Sequence, residues 1–270
     1  MFGKIGIILG DAKRLARVCG FGTAARWLWS IVASFGACKR EHNLQPADRH
    51  MGVGPFQCRR GNAKALLTGE GVISGIREIW CRDVYLNKYL QINDGDTVVD
   101  LGCNMGNFSM LALGSGPKVR VVGVEPLQEN INKVHRQLEV NGWQDRMQTF
   151  RVFVGGKTQL QDELLESPDS GSAPFISEQE LIDRSKVSRI DFLKCDIEGS
   201  EFDLLTSESK LLAMTQQLAV EVHDVAGDRE GFLNRLRGCG FEIWPSRVTA
   251  GDGVYCARRQ RTLVREPALA

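Results

Sequence analysis

The sequence predicts an α/β fold: a mostly parallel sheet with helices on both faces and an antiparallel C-terminal strand. Three observations predict it. Apolar β-rich runs alternate with helical periodicity from Thr97 to Val154, the pattern of βα units on a parallel sheet. The first run delivers Asp100 into a loop holding Gly102, Asn104 and Gly106, and glycines at such a turn let the backbone approach a ligand closely. The second run ends in Glu125, nineteen residues after Gly106. A ribose-binding acid about twenty residues past the glycine loop is expected in a nucleotide-cofactor fold.

The elements follow in order. Residues 97–101 form the first strand, 108–113 a helix and 119–124 the second strand. A helix over 127–140 sets Leu127, Ile131, Val134 and Leu138 on one buried face, and Asn141-Gly142 supplies a left-handed stop. Residues 149–154 form the third strand. From 155 to 174 the composition turns to Gly, Ser, Asp and Gln around one apolar island, Leu164-Leu165, so a loop or insertion over the site is expected. Order returns with a strand over 190–195 that ends in Asp196, and a further strand over 217–222 ends in His223. A helix over 229–239 precedes two strands, 241–244 and 254–257, expected to pair antiparallel and close the sheet.

Upstream, 270 residues exceed a typical single domain and fit an α/β domain plus an extension. An N-terminal amphipathic helical extension and connector over 1–70, a main domain over 71–262 and a tail over 263–270 are the expected organisation. Phe21, Ala24, Ala25, Leu28, Ile31, Val32 and Phe35 share one helical face, flanked by Trp27 and Trp29. The uncharged stretch from Trp27 to Cys38 is shorter than the roughly 20 residues that span a bilayer. Two readings of this helix stand: it covers the core or a partner, or it lies on lipid headgroups with Arg14, Arg17, Arg26, Lys39 and Arg40 around it. Residues 41–70 lack periodicity and are expected as a connector.

The net charge of +1 gives no general polyanion-binding role, although the first eighty residues are basic. The short apolar run at Ile5 to Leu9 meets Asp11, Lys13 and Arg14 at once, unlike a secretory signal. Eight cysteines show no zinc-ligand spacing, and Cys103, Cys195 and Cys256 sit in apolar strand patterns. They are read as reduced, in a cytoplasmic protein with no metal site.

The glycine loop reads D-x-G-x-N-x-G rather than G-x-G-x-x-G. An acid there is a poor neighbour for a pyrophosphate and suits a cationic cofactor. S-adenosylmethionine has a ribose, a positive charge and no phosphate, and the loop with its strand-end acid resembles the class I methyltransferase signature. Asp100, Gly102, Asn104, Gly106, Glu125 and Pro126 are the expected cofactor-binding residues. Asp196, Glu198 and Glu201 follow a strand at the edge where open α/β sheets bind ligands. Acids opening a helix are an equal reading for Glu201, and Lys194, inside that strand, needs a carboxylate partner or a route to solvent.

The segment KCDIEGSEFDLL, Lys194 to Leu205, is similar to the K-x-D-x-E-G-x-E of the FkbM methyltransferase family. Glu125-Pro126 with Asn130, Glu221 with His223, and Arg77, Glu78, Asp83 and Tyr85 match its other motifs. The resemblance spans roughly residues 77–258. Cys103 replaces the family's alanine, and Glu180, Leu181, Ile182 and Asp183 only weakly echo its T-L-D. The resemblance implies a Rossmann-like class I fold and methyl transfer from S-adenosylmethionine to a hydroxyl of a sugar, glycan or polyketide-type small molecule. Asp196 and His223 are the candidate bases, with Glu198 orienting the acceptor. Carboxylates also suit magnesium, and spacing alone does not decide. A nicotinamide oxidoreductase lacks its glycine motif, a nucleic-acid methyltransferase lacks a recognisable RNA-binding module, and a cofactor-binding protein without turnover is the third rival.

Overall fold

The computed structural model describes residues 2–162 and 173–260. The Leu164-Leu165 island and the 263–270 tail lie outside the described residues. Helices α1 (Phe2–Cys19) and α2 (Phe21–Ala33) meet at Gly20, and α3 (Phe35–Glu41) continues after a one-residue turn at Ser34. A short α4 (Gln45–His50) follows. Residues 56–67 correct the expected connector, because they form an antiparallel hairpin, β1 (Phe56–Arg60) and β2 (Ala63–Leu67). Their alternation is real but short: Phe56, Cys58, Ala63, Ala65 and Leu67 are buried between outward-facing polar side chains. Helix α5 (Val72–Gly75) runs into a π-helical turn, Ile76–Cys81.

The expected α/β core then appears. The strands are β3 (Thr97–Leu101), β4 (Arg120–Val124), β5 (Met147–Phe150), β8 (Ile190–Cys195), β9 (Thr215–His223), β10 (Phe241–Val248) and β11 (Asp252–Arg259), with the pair β6 (Phe153–Val154) and β7 (Phe175–Ile176) set apart from them. The seven-stranded sheet has the order β10-β11-β9-β8-β3-β4-β5, parallel except that β11 runs antiparallel to both neighbours. This is the class I methyltransferase, Rossmann-like arrangement. Helices α6 (Asn107–Gly114) and α7 (Gln128–Asn141) connect the first strands. The later ones are joined by α8 (Glu178–Ser185), α9 (Glu201–Leu204), α10 (Lys210–Met214) and α11 (Arg229–Gly238).

Strand alternation divides the core between the sheet's faces. Val98, Val121 and Phe192 pack with α6, the hairpin and the N-terminal helices, whereas Val99, Val122 and Leu193 pack with α8, α10 and α11. Burial on both faces explains the near-continuous apolar runs. The third strand is shorter than expected: β5 stops at Phe150, a bend intervenes, and Phe153–Val154 pairs with Phe175–Ile176 outside the main sheet. Leu127 is the half-buried N-cap of α7 rather than part of its buried face. Ser177 caps α8 by accepting from the Glu180 N–H, so the weakly matched 180–183 segment is helical.

The apolar face of α2 also differs from expectation. Ala24, Trp27 and Ser30 are buried, while Phe21, Trp29, Val32 and Phe35 are exposed. No helix among the described residues is long and apolar enough to cross a membrane.

Candidate active site

The sheet's order reverses between β3 and β8, and a ligand crevice is expected at such a switch point, beyond the strands' C-terminal ends. A cavity of about 300 Å³ opens there. Its walls come from the 102–108 loop and helix start, Val124 to Leu127, Val152 to Val154, and Asp196 to Glu198. Gly71 to Ile79 and Tyr85 close another side.

The glycine loop is held from several directions. Gly102 has φ +73°, and a Cβ there would lie 1.8 Å from the Asp196 carbonyl oxygen. Only glycine fits. Gly106, at φ +85°, caps α6, and Asn104 is also left-handed at φ +48°. The N–H groups of Gly102 and Cys103 both donate to the Val124 carbonyl at 3.0 and 2.9 Å.

Parallel register sets Asp100 beside Lys194. Asp100 is fully buried and does not line the cavity: Oδ2 accepts from Ser109 at 2.6 Å, and Oδ1 lies 3.4 Å from Lys194 Nζ. Lys194 in turn donates to the carbonyls of Leu101 and Gly102 at 3.3 and 2.6 Å. Burial works against the ammonium, but Asp100 and Asp196 hold its pKa above the ordinary lysine value. The acid and lysine therefore brace the loop from beneath.

Glu125 lines the cavity at the end of β4. Oε2 accepts from the Asn104 N–H at 2.9 Å, and Oε1 from the Leu127 N–H and Asn130 Nδ2, both at 3.1 Å. Burial raises its pKa, against these three donors. Each carboxylate oxygen offers two lone pairs, so Oε2 retains one for a ligand hydroxyl.

Asp196 and Glu198 line the opposite wall. Tyr85 Oη lies 2.9 Å from Asp196 Oδ2 and 3.0 Å from Glu221 Oε2. A phenol has one proton to donate, so the Tyr85 hydroxyl is shared between the two carboxylates. Burial and the neighbouring Asp196 raise the pKa of Glu221, against the Arg247 charge. Arg247 steadies this cluster by pairing with Glu221 and, at 2.8 Å, with Glu78. A bulge between Pro245 and Arg247 in β10 accompanies that placement.

His223 stands behind Glu198 and is not among the cavity's lining residues. Its Nδ1 is 3.1 Å from Glu201 Oε1 and its Nε2 is 3.5 Å from Glu198 Oε2. Burial alone would lower the imidazole's pKa, but the Glu201 hydrogen bond and charge, with Asp196 and Glu198, carry it up to about 9. His223 is thus placed off the cavity lining and between two glutamates, which it is positioned to anchor. Glu201, fully buried at the start of α9, also accepts the His223 N–H at 2.9 Å. Ligand atoms of Asp196, Glu198 and His223 come within 4.8 Å of one another, so these residues can hold a divalent cation.

The quoted motif residues divide by role. Tyr85 and Glu78 reach the cavity, whereas Arg77 is buried against Asp11 and Asp48, and Asp83 pairs with Arg60. Val152 to Val154 and Gln161 were not legible as site residues. Gln161 is fixed by donating to the Ile197 carbonyl at 3.1 Å and Ser200 Oγ at 2.8 Å, and only the bend after β5 turns the three apolar residues onto the cavity. Four carboxylates, Glu78, Glu125, Asp196 and Glu198, line the cavity against one ammonium that is already paired. Such a lining fits a cationic ligand that carries a ribose.

A family model described as the methyltransferase FkbM domain matches residues 93–243. The chain is 25% identical over 221 residues to the AMB antimetabolite synthetase AmbE of Pseudomonas aeruginosa, covering 62% of this chain and 10% of that protein. It is also 25% identical over 230 residues to the 31-O-demethyl-FK506 methyltransferase FkbM of Streptomyces tacrolimicus, covering 69% of this chain and 88% of that one. The chain thus spans about a tenth of the first relative's length and most of the second's. Among solved structures it is similar to a precorrin-6y C5,15-methyltransferase from Geobacter metallireducens, with TM-score 0.44, 11% identity, and coverage of 67% of this chain and 88% of that one. It is likewise similar to Aeropyrum pernix fibrillarin in complex with S-adenosyl-L-methionine, with TM-score 0.40, 14% identity, and coverage of 63% and 68%.

Proposed function

Because the chain belongs to the FkbM methyltransferase family, we propose that it methylates a hydroxyl group on a small molecule of sugar, glycan or polyketide type. Methyl transfer and S-adenosylmethionine as cofactor follow from the family; the oxygen acceptor is our reading. One observation carries it: Asp196, a carboxylate on the cavity wall, is held at Oδ2 by Tyr85 while Oδ1 takes no hydrogen bond among the described residues. A hydroxyl must lose its proton as it is methylated, and a fixed carboxylate oxygen can accept it. The Streptomyces relative's name, which specifies a 31-O-demethyl substrate, supports an oxygen acceptor.

Bound in the cavity, S-adenosylmethionine supplies a methyl group on a sulfonium, already a good leaving group. The chain's residues then have two tasks, alignment and proton removal. Glu125 receives a ribose hydroxyl on Oε2, its other oxygen fixed by Leu127 and Asn130. Gly102 lets the loop backbone close on the ligand, and Asp100 and Lys194 hold that loop. Asp196 takes the acceptor's proton at Oδ1, and Glu198 orients the acceptor.

A second reading rests on the grouping of Asp196, Glu198 and His223, which would let a divalent cation acidify the hydroxyl. Undiminished turnover in chelator removes it. The main reading is tested by incubating the purified chain with cell extract and methyl-labelled S-adenosylmethionine, then identifying the product. Label on an oxygen of a small molecule is expected. Label on nitrogen, carbon or a macromolecule would overturn the acceptor class, and cofactor binding without any transfer would overturn the activity.

A further inference from the structure

The α2–α3 helix carries an apolar face that the protein leaves uncovered. Phe21, Ala25, Val32 and Phe35 follow one line of the helical repeat, on which Leu28 is half-buried against the core, and Lys39 falls on the same line. Phe21 is 86% exposed, Val32 73%, Phe35 65% and neighbouring Trp29 64%. Backbone bonds from Ser34 to Ser30 and from Cys38 to Ser34, both 2.9 Å, carry the helix through the turn, so the exposed residues of α2 and α3 keep one line. The opposite side is committed to the core: Trp27 is fully buried, with the Arg77 guanidinium 4.8 Å from its ring centroid.

Charge identifies what this face meets. From Ala12 to Arg40 the chain contains no Asp or Glu, while Lys13, Arg17, Arg26, Lys39 and Arg40 are exposed. We propose that the α2–α3 stripe is a docking surface for a membrane bearing anionic phospholipid, with its apolar side chains among the headgroups and acyl chains and its cations on the phosphates. A tryptophan at the rim of an apolar stripe suits the water–lipid boundary. A second copy of the chain is a poorer occupant. A two-fold contact places like patches face to face, and here Arg26, Lys39 and Arg40 would confront themselves, while the one acid of α2 and α3, Glu41, is already paired with Arg49.

The test is co-sedimentation of the full chain with vesicles of phosphatidylcholine alone or mixed with phosphatidylglycerol. Binding to the mixed vesicles, weakened by added salt and absent from phosphatidylcholine alone, is expected. Trp29→Ser with Phe35→Ser, and separately Lys39→Glu with Arg40→Glu, should each lower partitioning roughly tenfold or more. Unchanged circular dichroism and cofactor affinity would show these variants folded, as exposed positions predict. A chain that stays in the supernatant with anionic vesicles at low salt overturns the proposal, as do folded variants that bind undiminished. A dimer in light scattering that Trp29→Ser with Phe35→Ser splits, without vesicle binding, reassigns the face to a second copy.

Discussion

Glu125 shows how one side chain both builds a site and serves it. Its two oxygens receive three protein donors, so Glu125→Gln keeps the shape but turns an amide N–H₂ toward N–H groups. Loss of such charge-assisted bonds costs about 1.5–3 kcal/mol, so cofactor affinity should fall roughly ten- to hundredfold by calorimetry. Unchanged affinity would remove Glu125 from the cofactor site. Asp196→Asn should instead lower kcat by about 10²- to 10⁴-fold with cofactor affinity little changed, and an equal loss of both would assign Asp196 to binding. These two residues were legible because strand ends fix where they stand. His223 ends a strand as well, but its role lay in Glu201 and Glu198, whose contacts with its ring no local pattern displays. Its pKa, raised from the ordinary 6.5 to about 9, gives a pH prediction. A raised folded-state value stabilises fully below the unfolded value and loses that stabilisation as pH climbs through the folded one. The melting temperature of the parent should therefore drop relative to His223→Gln between about pH 6.5 and 9. Parallel curves across that window would show that the ring is not held protonated.

At the scale of elements, legibility followed burial. Strands β3, β4 and β8 are covered on both faces and read as apolar runs, so the sequence marks them within a residue of their observed ends. The β1–β2 hairpin and the β5–β6 break were missed for a shared reason: strands of two to five residues give too few alternations to stand out, and Arg59, Arg60 and Lys64 interrupt the hairpin's pattern. The most constrained junction is the turn from β3 to α6. A Gly102→Ala chain must place its Cβ against the Asp196 carbonyl at a positive φ, and strained backbone of this kind costs about 1–3 kcal/mol before any collision is counted. Because β3 and β8 meet there, relieving the clash must part the loop from the Asp196 wall. Urea denaturation should show a loss of at least that size, and calorimetry should show cofactor affinity falling with it. A variant of parental stability and affinity would mean that the loop does not approach β8 so closely.

For the molecule as a whole, the N-terminal helices are tied to the wall of the site. Composition suggests an appendage over the first seventy residues, and nothing local contradicts that, because the ties join positions far apart in the chain. Arg77, Asp11 and Asp48 are nearly excluded from solvent, with Arg77 3.2 Å from Asp11 and 2.5 Å from Asp48. Trp27 donates its indole N–H to Asp48 at 2.8 Å, and Arg82 shares Asp11. Three N-terminal helices thus converge on the residue that immediately precedes Glu78 and Ile79 of the cavity wall. Arg77→Met would preserve much of the side chain's volume but leave Asp48 with only the indole. Removing one partner of a buried ionic cluster costs about 3–5 kcal/mol, so the urea midpoint should fall by an amount that matches. Asp48→Asn in the same chain removes the stranded charge, and the double variant should recover part of the loss, giving a coupling energy of about 0.5–3 kcal/mol. Cofactor affinity should weaken in the single variant and return with the second substitution, since the π-helical turn takes its position from this cluster. An unchanged midpoint in Arg77→Met, or losses that simply add in the double variant, would show that the extension and the site are independent.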